Sequence, residues 1–131
     1  MHITLKRTKA DKLFSQFIRE RAEWVCERCH VDCVDNHGYL DCSHFHSRAK
    51  KSVRFDPDNA AALCKKCHDY IGKNIIDHEM FFFKRLGLNG LNALSVRAGT
   101  PQKVDENLIC QGLEIMLEEL RKKDETIGKR S

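Results

Sequence analysis

Two cysteine pairs in this chain share one spacing, Cys26-Glu-Arg-Cys29-His30 and Cys64-Lys-Lys-Cys67-His68. Two residues between cysteines let both sulfurs turn onto one ion at about 2.3 Å, and a second pair completes a tetrahedron. The chemistry expected of Cys26, Cys29, Cys64 and Cys67 is therefore a structural Zn²⁺ site that clips together segments remote in sequence. A redox pair or buried free thiols are the competing readings. Cys33 and Cys42 match no ligand spacing, which argues against either replacing a member of the tetrad or forming a second site. Cys110 falls in a helical pattern and reads as core.

The stretch from Leu40 to His68, LDCSHFHSRAKKSVRFDPDNAAALCKKCH, gathers the remaining polar chemistry. His44 and His46 lie two positions apart in an extended run, which puts them on one strand face. The loop from His46 to Arg54 carries Arg48, Lys50, Lys51 and Arg54 without an acid. Such a rim suits phosphate contact; a merely solvated loop is the plain alternative.

These side chains need elements to position them. Asp11 is the expected N-cap of a helix through about Cys26 whose Leu13, Phe14, Phe17, Ile18 and Val25 recur at helical spacing, with Trp24 anchoring it against the zinc knuckle. Val31 to Val34 and Tyr39 to Phe45 read as a hairpin turning at Asp35-Asn36-His37-Gly38. Asp56-Pro57-Asp58-Asn59 is a turn into a helix that starts at Asn59, runs through the helix formers Ala60, Ala61, Ala62 and Leu63, and carries the second cysteine pair and His68. Further on, a helix from Ile75 to Leu86 contains Phe81, Phe82 and Phe83, which cannot all face one way, and Gly87 is its C-cap. Thr100 and Pro101 are expected to start a last helix to about Lys123. Its stripe of Leu108, Ile109, Leu113, Met116, Leu117 and Leu120 serves either this chain's core or a homodimer seam. Lys6, Arg7 and Lys9 make one end basic, and Arg121, Lys122, Lys123, Lys129 and Arg130 the other; both read as solvated arms or phosphate contacts.

At 131 residues the chain is one domain by prior, and 41% hydrophobic with 32% charged residues excludes a disordered class. Seven cysteines are an odd number, and the opening MHITLKRTKADKLF lacks the apolar core of a signal peptide. Metal-bound thiolates in a reducing cytoplasm are thus expected over a secreted disulfide framework. No apolar run approaches the roughly 18 residues that span a bilayer, so no membrane partner is expected. The net charge of +4 points only weakly to nucleic acid.

The order β-β-α, with His44 ending the second strand, Asn59 before the helix and His68 within it, resembles the HNH (ββα-metal) endonucleases, and the flanking cysteine pairs match their zinc-containing branch. More narrowly, His44-Phe45-His46-Ser47-Arg48, Arg54-Phe55-Asp56-Pro57-Asp58-Asn59, Cys64-x2-Cys67 and Ile71-Gly72-Lys73-Asn74 look like the phage recombination endonucleases called NinG or Rap, over about residues 24–87. Two positions depart from those patterns: His68 stands where that family has Asn, and Ser43 precedes His44 where many HNH proteins have Asp or His.

The resemblance implies an α+β fold: a zinc-stapled ββα-metal (HNH) core at about residues 24–87, flanking N- and C-terminal helices, and a C-terminal helical extension over about 88–131. It implies a metal-dependent DNA endonuclease that hydrolyses phosphodiester bonds in branched or single-stranded DNA, in the cytoplasm of a bacterial host if phage-encoded. In that reading His44 is the general base and Asn59 braces its loop, unless Asn59 is a plain helix cap. His68 and Asp41 hold a catalytic Mg²⁺ or Mn²⁺, unless His68 only supports the zinc cysteines. His46, Arg48, Lys50, Lys51 and Arg54 contact DNA. The alternative function is a zinc-ribbon DNA-binding module that cuts nothing, with His44 and His68 structural.

Overall fold

A computed structural model describes the backbone of residues 5–128 and the side chains of residues 5–125, so Lys129 and Arg130 lie outside the described residues. Helix α1 (Lys9–Arg21) starts one turn before the expected cap. Thr8 is the N-cap: its Oγ1 accepts from the Asp11 amide at 3.3 Å while the Asp11 carboxylate accepts from the Thr8 amide at 2.9 Å, a reciprocal capping box. Asp11 is therefore the N3 partner rather than the cap. The helix ends at Arg21, short of Cys26, where the chain turns through Glu23 and Trp24 at φ of 56° and 62°. Trp24 stacks on His37 with ring centroids 3.4 Å apart, and Arg19 lies over its ring.

The expected hairpin is not the sheet that forms. Val31 to Val34 supplies only an isolated bridge between Asp32 and Val25, and Tyr39 lies in a 3-10 turn. The sheet instead pairs β1 (Leu40–His44) antiparallel with β2 (Ala60–Cys64), Leu40 opposite Cys64 and His44 opposite Ala60. The helix expected from Asn59 accordingly begins only at α2 (Lys65–Lys73), capped by the Cys64 side chain. Alanines prefer helix intrinsically, but all five β2 residues are buried, and α1 and α2 both pack on the strand. Small side chains permit that approach, so burial overrides propensity.

A two-stranded sheet leaves its outer edge unpaired unless something covers it. On β2 two residues do so. The Glu27 amide donates to the Ala62 carbonyl at 2.8 Å, the Ala62 amide donates to Glu27 Oε2 at 2.6 Å, and Arg21 Nη2 donates to the Ala60 carbonyl at 3.0 Å. The first cysteine pair is thereby held against the strand that leads into the second.

Helix α3 (Ile75–Ala98) is broken at Gly87, whose φ of 72° and ψ of 172° suit a residue without Cβ, so the helical run to Leu86 ends where expected and a second run follows. Phe82 is fully buried against Phe45, Phe81 is half-buried, and Phe83 is exposed. The last helix, α4 (Glu106–Gly128), starts after the expected Thr100-Pro101, because Asp105 accepts from the Asn107 and Leu108 amides while Thr100 donates to the Val96 carbonyl. Leu113 and Leu117 join Phe14, Phe17 and Ile18 in the main core with Ile109, Met116 and Leu120 packed against it, so most of the α4 stripe packs on this chain's own core, while Leu108 is exposed. No helix among the described residues is long and apolar enough to cross a membrane.

Asp11 also anchors the 46–54 loop. Arg54 donates Nε to Oδ1 at 3.0 Å and Nη2 to Oδ2 at 2.5 Å, and Arg48 Nη2 reaches Oδ2 at 2.9 Å. Both Asp11 and Arg54 are buried. Burial by itself raises the Asp11 pKa; the Arg54 guanidinium, the Thr8 amide and Arg48 outweigh it and hold the carboxyl well below the usual carboxylate range. Asp11→Ala should cost about 3–5 kcal/mol in urea denaturation, because it strands a buried guanidinium. The depressed folded pKa makes this stabilisation present above the unfolded value of about 4 and lost as pH falls below it. The stability gap between wild type and variant should therefore narrow on acidification; a gap independent of pH would show that the carboxylate charge is not its source.

Candidate functional site

The four cysteines meet. Sγ atoms of Cys26, Cys29, Cys64 and Cys67 all lie within 4.8 Å of one another. A tetrahedron with metal–sulfur distances of about 2.3 Å has edges of about 3.8 Å, and Cys29 Sγ is 3.8 Å from Cys64 Sγ. Each pair folds the same way: the Cys29 amide donates to Cys26 Sγ and the Cys67 amide to Cys64 Sγ, each at 3.5 Å, while Arg28 Nη1 reaches Cys67 Sγ at 3.4 Å. Burial raises the thiols of Cys64, to about 12, and of Cys67. At Cys26 burial acts the same way but is outweighed by the donors around the sulfur, which bring it down to about 7. Four sulfurs in this geometry, none in a disulfide, could hold a zinc ion. Cys33 and Cys42 stand apart from the cluster: Cys33 is buried in the core, and burial pushes the Cys42 thiol up to about 12.

The second group lies where β1, the following loop and α2 come together. His44 Nε2 is 3.0 Å from the Arg54 carbonyl oxygen. A carbonyl only accepts, so Nε2 carries the proton in the neutral ring and Nδ1 is left as the lone-pair nitrogen. The ring packs 5.5 Å from Phe14, and burial lowers its pKa below the ordinary histidine value, outweighing the bond to the Arg54 carbonyl, which raises it; the Arg48 charge adds to the lowering. Asn59, fully buried, clamps the loop behind it: its Oδ1 accepts from the His46 amide at 2.8 Å, and its Nδ2 donates to the carbonyls of His46 and Val53, each at 3.0 Å. It braces the loop and caps no helix, since a strand follows it.

His68 Nδ1 lies 3.0 Å from Asp41 Oδ2, and Lys65 Nζ holds Asp41 Oδ1 at 3.0 Å. Burial raises the Asp41 pKa, and the bonds from His68 and Lys65 outweigh it, so the carboxyl stays ionised. The pair opens on a groove of about 520 Å³ also lined by Asp69, Gly72 and Lys73. Alternation along β1 puts Asp41 and His44 on opposite faces, the first toward α2 and the second toward α1. The expected basic rim divides as well. Arg54 is buried on Asp11, while Arg48, tied through Nη2 to Asp11 and the Lys6 carbonyl, keeps part of its side chain exposed. Lys50 and Lys51 are exposed. His46 is half-buried, its backbone locked by Asn59. Two residues with no sequence signal join this region: Glu27, which ties the first knuckle to β2 and is ion-paired with Arg85, and His78, whose ring meets Phe45 and Phe82.

A family model described as Bacteriophage Lambda NinG protein matches residues 5–124. No curated protein and no solved structure matches the chain.

Replacing Cys64 and Cys67 together by serine should abolish stoichiometric zinc, measured by elemental analysis of the purified protein, and lower its melting temperature, because binding free energy at such sites is largely folding free energy. Full zinc content with an unchanged melting temperature would exclude the tetrad.

Proposed function

The chain belongs to the NinG family, and on that premise we propose that it is a zinc-stapled, metal-dependent DNA endonuclease of HNH type, acting on branched DNA. The observation that carries the reading is the His44 hydrogen bond to the Arg54 carbonyl. It holds a neutral imidazole in one tautomer at the end of a strand, with a lone pair on Nδ1, which is what a general base for water requires. Asn59 and the Asp11–Arg54 pair fix the loop that supplies that carbonyl. A divalent ion bound at His68 would supply positive charge to the phosphate oxygens. Asp41 orients His68 rather than serving as a free oxygen donor, since both its oxygens are already engaged. In this reading the phosphodiester crosses the end of β1, where the base on one face and the His68 side on the other are both reached. Lys50 and Lys51 grip flanking phosphates.

A non-catalytic zinc-ribbon module bound to DNA is the second reading. It is favoured by the placement of His44 and the Asp41–His68 pair on opposite faces of β1. Cleavage of plasmid and branched DNA with Mg²⁺ or Mn²⁺ against EDTA separates the two.

His44→Ala should lower cleavage by about 10²- to 10⁴-fold with DNA affinity and zinc content near wild type, because proton abstraction matters only in the transition state. Since burial depresses the His44 pKa, wild-type cleavage should persist at pH 6.5 and decline only in more acidic buffer, where the ring becomes protonated. Wild-type rates from the alanine variant would reject the mechanism. Neutralising Lys50 and Lys51 together should weaken binding to every DNA sequence alike and reduce the salt slope by about two phosphate contacts. An unchanged slope, read from affinities at several salt concentrations, would return these lysines to a solvated loop.

A further inference from the structure

The loop after β1 is fastened to the end of α3. Ser52 Oγ donates to the Ala98 carbonyl at 3.2 Å, and Arg97 reaches the carboxylates of Asp56 and Asp58. The chain leaving α3 therefore runs back beside the loop, where Gln102, Lys103 and Val104 share a cavity of about 320 Å³ with Lys51, Arg54 and Glu106. A second cavity, of about 240 Å³, shares Lys51 and Arg54 and adds Leu5, Ser47 and Arg48. The N-terminal arm closes that end, because the Lys6 carbonyl accepts from both Arg48 and Arg54. The two cavities form one trough with Lys51 on their common wall. Its charge is one-sided: Arg48, Lys51, Arg54 and Lys103 line it against a single acid, Glu106. Asp11 meets the charge of Arg54 and one edge of Arg48. Among the described residues neither Lys51 nor Lys103 is ion-paired, and both are exposed. Like charges gathered around one trough repel each other, and their summed field draws anions into it.

We propose that this trough holds the phosphodiester backbone of one DNA strand, with Lys103 gripping a phosphate next to the one held by Lys51. The inference rests on the DNA-binding part of the proposed function, extends the contact surface from the loop to the segment before α4, and does not depend on cleavage. Ser47 and Arg48 closely follow the end of β1, so a strand crossing there at His44 continues into the trough. Cations supplied by two segments along two adjoining cavities match a row of phosphates better than one small anion. Contacts of this kind fix the position of a strand and read no bases, so the affinity gained is the same for every sequence.

The test is binding of zinc-replete protein to a fluorescent three-way DNA junction, without added divalent cation, at several salt concentrations. Lys103→Gln should weaken binding about eightfold at about 0.1 M salt and flatten the salt slope by about 0.9, the share of one phosphate contact. Adding Lys51→Gln should flatten it by about as much again. Lys103→Arg keeps the charge and should bind like wild type, and neither change at Lys103 should move the melting temperature. Lys84→Gln is the control: that lysine is exposed on a different cavity, beside Glu27 and Arg28, and its loss should leave the slope unchanged. Inorganic phosphate should displace the DNA no better than chloride of equal ionic strength. A wild-type slope in Lys103→Gln would make that lysine merely solvated, an equal loss in Lys84→Gln would mean that only net charge is felt, and displacement specific to phosphate would mark a small-anion site; each overturns the proposal. Cleavage separates this from the parent reading. A wild-type protein that cuts DNA while Lys103→Gln keeps the full slope would sink the trough and leave the nuclease standing; one that cuts nothing while Lys103→Gln loses a contact would do the reverse.

Discussion

The fold turns on closing the outer edge of β2. A strand whose five residues are all buried has no water to satisfy its free amides and carbonyls, and with only one partner strand half of its edge groups need other donors and acceptors. Glu27 supplies both for Ala62, and Arg21 supplies the donor for Ala60. Glu27 lies between Cys26 and Cys29, and Ala62 lies two residues before Cys64. The pairing that satisfies the strand therefore also brings the two cysteine pairs together, and the sulfur cluster follows from edge closure. An ion there would reinforce an arrangement that the backbone already favours.

A second ion cluster does for the loop what Glu27 does for the strand. Asp11 begins as half of a capping box on α1, and the same carboxylate receives Arg54 and Arg48 from the loop after β1. The carbonyl of Arg54 then fixes the His44 ring, and Asn59 ties the loop's two ends through the His46 and Val53 carbonyls. From helix cap to imidazole tautomer, each link is a directional bond between groups with few alternatives, which keeps a half-buried histidine in a single protonation pattern.

What could be read from the chain alone was the part governed by local rules. Two matching Cys-x2-Cys spacings pointed to the tetrad because ligand geometry constrains sequence directly, and Gly87 marked a helix end because positive φ excludes most other residues. The Ala60–Cys64 run misled for the opposite reason: intrinsic preference favours helix, and only the tertiary demand for small residues between packed helices makes it a strand. Arg48 and Arg54 looked like free cations because their partner, Asp11, lies some forty residues upstream. His78 carried no signal at all, since one histidine in a helix has meaning only through what folding sets beside it.

The arrangement around β1 follows from strand alternation. Neighbouring positions must point to opposite sides, so Asp41 meets α2 and His44 meets α1, and a single short strand presents two chemically different faces. On the α2 side a carboxylate held by Lys65 sets the His68 tautomer; on the α1 side a backbone carbonyl sets that of His44. The two rings thus have different neighbours: Nε2 of His44 faces a carbonyl in a site whose burial lowers that ring's pKa, and Nδ1 of His68 faces a carboxylate. Ala60, Ala61 and Ala62 contribute to this, because bulkier residues in the buried strand paired with β1 would hold α1 and α2 farther from the sheet.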